Sequence, residues 1–450
     1  MKGEYNVVIV GAGPAGLFAA YELQKSGIEN ILLLEKGKSA LVRTPQEVLW
    51  GVGGAGLFSD GKLNFTSRLG KTDLTEFLPL EKADDLIREV EIIFKEFGMD
   101  GQTYPANMDE ARAYRAMAQK LGLELQLIKQ KHLGSDNLPG YIARMEKFLQ
   151  SNGVDIVTEC EALEILKENE AVIGLKTSQG EVKTQTIIAA PGRAGNHWLS
   201  SELKRLGLTL DQKAIEIGVR VETSAEILRE ICSVIYDPTF YLHTQTFNDQ
   251  LRTFCTNPTG FVAAEKYKEF VCVNGHAYSN KHSQNANFAL LDKVSLTEPV
   301  TDTITYGESI CKLSSTIGAG KPILQRYVDF KRHRRSTWER LAKSYIEPTL
   351  KEVTPGDIGM ALPYRIVTNL IEGIEKLDKM IPGLAGDATL LYSPEVKFFS
   401  VRPKVTDSLE TQVNGLFVAG DGAGISGNIV GAAATGIIAA RDVIAKNASN

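Results

Sequence analysis

The stretch from residue 7 to residue 35 restricts this chain more than any other. Val7-Val8-Ile9-Val10 is an apolar run, Gly11-Ala12-Gly13-Pro14-Ala15-Gly16 follows it, and a helical stretch leads to a second apolar run, Ile31 to Leu34, and then Glu35. Strand, glycine turn, helix, strand and acid in that order specify a βαβ unit that holds an adenine dinucleotide. Gly11 permits the tight turn, Gly13 lets backbone approach a pyrophosphate, and Gly16 lets the helix lie close to the sheet. The phosphates then sit at a helix N-terminus opened by Pro14 and Ala15, where unpaired N–H groups and the positive dipole end favour anions. Glu35 stands 19 residues beyond Gly16, in the place where a carboxylate accepts hydrogen bonds from an adenosine ribose. Lys36 and Arg43 join it as cofactor-binding candidates.

A length of 450 residues is enough for two or three domains and a substantial core. The net charge of −5 gives no global reason to bind nucleic acid, so a small-molecule substrate is the expected partner. The oligomeric state leaves no mark in the sequence. No apolar run approaches the roughly 18 residues that span a bilayer. No leader is evident before the first strand, so the expected compartment is the cytoplasm. Five cysteines, Cys160, Cys232, Cys255, Cys272 and Cys311, are scattered without a CxxC pair. Metal ligation and a disulfide framework are therefore not expected, and neither is a flavin–disulfide reductase.

Gly51-Val52-Gly53-Gly54-Ala55-Gly56-Leu57-Phe58 follows the first βαβ unit, and Lys62 stands just beyond. So many glycines indicate backbone passing close to a flat or bulky group, with Gly53, Gly54, Ala55, Gly56 and Leu57 as the contacts; a surface loop is the alternative. Helices are expected at 81–98, 107–121 and 138–151, and strands at 155–157, 162–167 and 171–177. The strand group ends in Thr186 to Ala189 and then Ala190-Pro191-Gly192-Arg193, small residues that leave room beside an adenosine half. From 205 to 385 strands (216–221, 261–264, 270–274) mix with helices (225–235, 322–345), and Lys331 to Arg335 form a basic cluster on the second helix. Gly415 to Val418 then lead into Ala419-Gly420-Asp421-Gly422 and an Ala- and Gly-rich helix. Asp421 suits a ribityl hydroxyl or the pyrophosphate, or else caps the helix. The helix start at Gly427, Asn428 and Ile429 suits a flavin N1–C2=O edge.

A dinucleotide fingerprint at one end, a mid-chain Ala-Pro-Gly-Arg and a terminal Ala-Gly-Asp-Gly indicate FAD, because the chain returns to one sheet at its end. The order resembles the FAD-binding fold of the glutathione-reductase and hydroxylase-like superfamily. More narrowly, the chain resembles the FAD-dependent dehydrogenases of that superfamily in Gly53 to Leu63, Ala190 to Arg193, Gly218 to Glu222, Arg252 to Cys255, Val273 to Gly275 and Gly420 to Gly424. It departs from them at Thr256 to Gly260, where a second cysteine and paired glycines are usual. The resemblance implies an α/β fold: a Rossmann-like FAD-binding domain, a parallel sheet with a β-meander, interrupted by a mixed α+β substrate domain. The expected FAD domain is 1–204 with 386–450, carrying a helical insertion at about 81–151, and the substrate domain is 205–385.

Flavin carries the hydride chemistry, so the substrate domain needs groups that orient a ligand. Arg220 either clamps a carboxylate or pairs with a neighbour such as Glu222. Cys255 is a reactive thiol or an inert buried one. Asn274, His276 and Tyr278 alternate on an extended segment, and His276 and Tyr278 serve as proton donors or as structural side chains. Lys62 reaches the flavin edge or is solvated. The expected activity is an FAD-dependent dehydrogenase or reductase exchanging a hydride with a small organic substrate of the carboxylated or unsaturated kind, with NAD(P)H as a transient electron donor or another protein supplying electrons. The alternatives are an NAD(P)H-dependent flavin monooxygenase and a non-catalytic FAD-binding protein.

Overall fold

The computed structural model describes residues 1–450 other than 45, 46, 48, 60, 135, 279, 299–301, 399, 400 and 450. The chain forms two compact units: residues 1–101, 131–211 and 401–450 make the first, and 102–130 with 212–400 make the second. The divisions fall at 211 and 400 where the sequence suggested 204 and 385. The segment expected as a helical insertion is shared, because 102–130 goes with the second unit.

In the first unit, β1 (Val7–Val10), β2 (Ile31–Leu34), β3 (Val154–Val157), β4 (Ile187–Ala189) and β5 (Leu416–Val418) form a sheet in the order β5-β4-β1-β2-β3. Every neighbouring pair is parallel. A parallel sheet covered on both faces needs unbroken apolar strands, and β1, β2, β4 and β5 are buried throughout. An antiparallel meander, Ala162–Glu168, Ala171–Thr177 and Gly180–Lys183, precedes β4. Helix α1 (Pro14–Lys25) follows β1 and helix α2 (Ile429–Ser449) follows β5. The two helices touch through bare backbone: a Cβ on Gly436 would lie 2.0 Å from the Ala15 carbonyl oxygen.

The second unit is built on an eight-stranded sheet. Its strands run in the order 354–355, 323–326, 390–397, 215–224, 285–294, 250–257, 239–243 and 124–126. Neighbours are antiparallel except the first pair. Strand alternation sends Ile217, Val219, Val221, Leu251, Leu290 and Leu391 into one apolar core with Leu228, Ile231, Leu370 and Ile374. The opposite face carries Glu216, Arg220, Glu222, Arg252, Glu395 and Lys397, and these are buried as well.

The helix expected at 322–345 is instead a strand, Ile323–Arg326, and two short helices, Tyr327–Lys331 and Trp338–Leu341. Pairing of Ile323–Arg326 with Leu390–Ser393 overrides the local helical preference. Lys331 closes the first short helix, so the basic cluster does not line a helical face. Arg334 turns to Asp329, whose buried carboxylate also accepts from Arg326 and Ser336.

One acid lies on the apolar face. Asp292 is opposite Ile217 and Leu251, and Asn369 Nδ2 bridges its Oδ2 (2.7 Å) to Asp249 Oδ2 (2.8 Å). Burial pushes the Asp292 carboxyl up to about 7; the Asn369 hydrogen bond opposes the rise and the neighbouring Asp249 adds to it. A carboxyl raised in the folded state stabilises it fully below the unfolded pKa, and that contribution is lost as pH rises through about 7. Asp292→Asn, neutral throughout, should therefore be more stable than the parent at pH above about 7, by on the order of a few kcal/mol, with the gap closing toward pH 4. Thermal melts across that range check this; parallel pH profiles would contradict it.

Candidate functional site

The glycine turn forms a cradle of exposed backbone. Gly11 adopts φ +97°, a conformation open to glycine, and a Cβ there would lie 2.3 Å from the Ala190 carbonyl oxygen. A Cβ on Gly16 would lie 1.9 Å from the Gly11 carbonyl oxygen, so neither position admits a side chain. Gly53 N–H donates to the Ala12 carbonyl at 2.8 Å. Gly53 and Gly54 take φ +90° and +60°, and a Cβ on Gly54 would come within 3.1 Å of Gly13 Cα. The turn Gly54–Phe58, containing Ala55 and Leu57, thus lies against Gly13 and Pro14, and a Cβ on Gly56 would sit 3.5 Å from Ile429. The three segments singled out from sequence meet within one unit.

Glu35 ties them together. Its Oε2 accepts from Ala12 N–H (2.9 Å), and its Oε1 from Gly37 (2.9 Å) and Gly51 (2.8 Å). A carboxylate offers about four acceptor positions, so a ribose hydroxyl finds one still open. Arg43 plays a different part from the one expected of it. Its guanidinium is buried and donates to the carbonyls of Gly51, Val52, Gly54 and Glu47, which fixes the glycine loop from behind. Burial lowers its pKa to about 10, against the opposing pull of Glu35 and Glu47. Lys36 is half-exposed, pairs with Glu161 at 3.1 Å and lies over the Trp50 ring.

At the far end of the cradle, Gly192 (φ +63°) and Gly422 bring backbone against backbone: a Cβ on Gly422 would lie 2.4 Å from the Gly192 carbonyl oxygen. Ala190 is buried, Pro191 Cβ would meet a Cβ on Gly195 at 2.4 Å, and Arg193 Nε lies 3.9 Å from Asp421 Oδ2. Burial raises the Asp421 carboxyl, while Arg193, a hydrogen bond from Ser426 (2.7 Å) and Lys71 pull it down. Gly420 (φ +76°) donates its N–H to Thr435 Oγ1. Asn428, not Asp421, caps α2, its Oδ1 accepting from Gly431 N–H at 2.7 Å. The sequence reading missed Thr72: fully buried, it accepts at Oγ1 from Gly427 N–H (3.0 Å) and Asn428 Nδ2 (2.8 Å) and so anchors the start of α2. Lys62 is buried on the strand Lys62–Phe65. Bare glycine backbone, a buried acid with acceptor capacity and two helix N-termini suit FAD; Glu35, Gly11, Gly13 and the 53–57 turn would hold its adenosine diphosphate half, and Asp421 with the α2 N-terminus its flavin half.

On the polar face of the second unit, Arg220 is fully buried and its donors are engaged: Nε to Asn287 Oδ1 (2.9 Å), Nη2 to the Cys255 carbonyl (2.8 Å) and Nη1 to Glu395 (3.3 Å). Its ion-pair partner is Glu395, which also takes Lys397 at 2.9 Å, and not Glu222. Glu222 instead accepts from Tyr392 and the Thr349 hydroxyl, with burial raising its carboxyl. Arg252 makes a two-point pair with Glu216, both contacts 2.7 Å. Cys255 is half-buried at a break in strand register with φ +54°. The strand ends at His276, so Tyr278 does not alternate with it; Tyr278 lies beyond the last ladder pair, exposed, with its ring edge-on to Phe261.

Residues 6–215 match the family model described as FAD dependent oxidoreductase, and residues 214–397 match the one described as FAD-dependent protein, C-terminal domain-like. Residues 352–450 match Glucose inhibited division protein A. An uncharacterized protein of Clostridium beijerinckii is 27% identical over 481 residues, which covers 98% of this chain and 80% of that one. Sarcosine oxidase subunit beta of Rhizobium meliloti is 25% identical over 48% of this chain and 56% of its own length. Among solved structures, L-proline dehydrogenase from P. horikoshii is 13% identical with a TM-score of 0.43, covering 99% of this chain and 95% of that one. Glycine oxidase from Geobacillus kaustophilus is 14% identical with a TM-score of 0.40 over 99% and 95%.

Glu35→Ala removes the acceptor of three backbone N–H groups, each costing about 1–3 kcal/mol when left buried and unpaired. The variant should melt lower and bind FAD at least about tenfold more weakly, the loss of roughly one hydrogen bond to a charged group. Flavin-fluorescence titration and thermal melts read both effects. Unchanged FAD affinity would remove Glu35 from the site.

Proposed function

We propose that this FAD-dependent oxidoreductase exchanges a hydride between flavin and a small carboxylated organic substrate. The observation that carries the reading is the start of α2, where Asn428 caps the helix and Thr72 anchors Gly427 at the end of the cradle. Bound FAD supplies the two-electron acceptor. Helix α2, 21 residues long, presents its N-terminal dipole there, worth about 0.3–2 kcal/mol toward negative charge. A positive environment of that kind favours hydride acceptance. Burial raises the Asp421 carboxyl, and Arg193, the Ser426 hydrogen bond and Lys71 oppose the rise. In the second unit Arg220 is held by Glu395, Asn287 and Cys255, so its place there is structural. The resemblance to sarcosine oxidase subunits, whose named substrate is an N-methyl amino acid, supports the carboxylated class.

No described helix is long and apolar enough to cross a membrane. Mixed anaerobically with N-methyl amino acids, 2-hydroxy acids or NADPH, one of these reductants should bleach the visible band of oxidised flavin, and slow return on admitting oxygen would mark a dehydrogenase. A flavin that dithionite reduces at once but none of these compounds touches would contradict the proposal.

A further inference from the structure

We propose that Cys272 and Cys311 form a reversible disulfide that ties the strand Val271–His276 to the helix Thr303–Ile317. The inference concerns two thiols of the second unit and does not rest on the hydride reading.

All five cysteines are free thiols in the structure, and these two meet. Cys272 Sγ and Cys311 Sγ lie 3.5 Å apart although 39 positions separate them in the chain, so no CxxC spacing marks the pair. A disulfide S–S bond is about 2.05 Å long, which leaves roughly 1.5 Å to be shared between two side chains. Contacts on either side hold the two backbones in register. Lys312 Nζ pairs with Glu269 at 2.7 Å, and Val271 N–H donates to Ser315 Oγ at 2.9 Å. Gly307, Cys311 and Ser315 recur at four-residue spacing and so share one face of the helix. That face lies directly on the sheet: a Cβ on Gly307 would sit 2.4 Å from Ile215 Cδ1.

Both cysteines are buried, 1% and 0% exposed. The hydrogen bond with Cys311, together with burial, holds the Cys272 thiol well above the usual range. A protonated thiol is a poor nucleophile, so the oxidant is small and attack takes place during local opening of the strand and helix. Hydrogen peroxide, close to water in size, meets that requirement. It converts one thiol to a sulfenic acid and releases one water. The second sulfur then displaces the hydroxyl, which leaves with that thiol's proton as a second water. Two thiols thus lose two electrons and two protons, and one peroxide becomes two waters. The new bond closes the chain from 272 to 311 into a loop and restricts the unfolded state.

Peptide mass mapping of peroxide-treated holoprotein, alkylated and digested without reductant, tests this. A peptide pair joined through Cys272 and Cys311 should appear, and dithiothreitol should split it. The oxidised protein should melt at least about 5 °C above the reduced one, the effect of one cross-link in a unit of this size. Cys311→Ser should abolish both the joined pair and the rise, whereas Cys255→Ser should keep both. Should Cys311→Ser not fold, the map and melt of the parent protein decide. Three results would overturn the proposal: Cys272 and Cys311 recovered as alkylated thiols after peroxide has consumed the half-exposed Cys255 thiol, either of them joined to another cysteine or carried on to sulfinic acid, or a joined pair with no rise in melting temperature.

Discussion

Three close approaches of backbone to backbone support the first unit. A Cβ would come within 2.3 Å of Ala190 at Gly11, within 2.4 Å of Gly192 at Gly422, and within 2.0 Å of Ala15 at Gly436. These contacts join the first turn to the mid-chain strand end, that strand end to the terminal one, and the two long helices to each other. Because the interior is close-packed, each contact needs the absence of a side chain and cannot be replaced by a slightly larger gap. The polypeptide from residue 11 to residue 436 therefore closes on itself at glycines, and the cofactor cradle is the surface left between them.

The second unit poses the opposite problem. Six charged side chains on one sheet face are buried, and they pair as Arg252 with Glu216 and as Arg220 and Lys397 with Glu395, while Glu222 takes neutral donors. Replacing buried ion pairs by apolar groups is often neutral or stabilising by about 1–4 kcal/mol, so stability alone does not account for such a face.

The glycine turn and the place of Glu35 beside it were legible in the sequence because their requirements are local. Positive φ at Gly11 and close approach at Gly16 act within a few residues, and the spacing of Glu35 follows from one helix and one strand. Thr72 was not legible, because its hydroxyl acquires meaning only when α2, more than 350 residues away, arrives on it. Arg220 was singled out rightly as a strand arginine, yet its partner Glu395 is 175 positions distant and the nearer Glu222 was the natural guess. Tyr278 was grouped with His276 by alternation, but alternation stops where the ladder stops. The segment 322–345 read as helix from its own residues, and strand pairing decided otherwise for Ile323–Arg326.

The claim on which the account rests is that distant ends of the chain close one FAD cradle through side-chain-free contacts. The dissociation constant of FAD for Gly422→Ala, measured against the parent protein, tests it most directly. The account predicts a loss of about five- to a hundredfold, since overpacking of this kind costs about 1–3 kcal/mol at the place where the two strand ends meet. An alanine at 422 that left FAD affinity unchanged would contradict it.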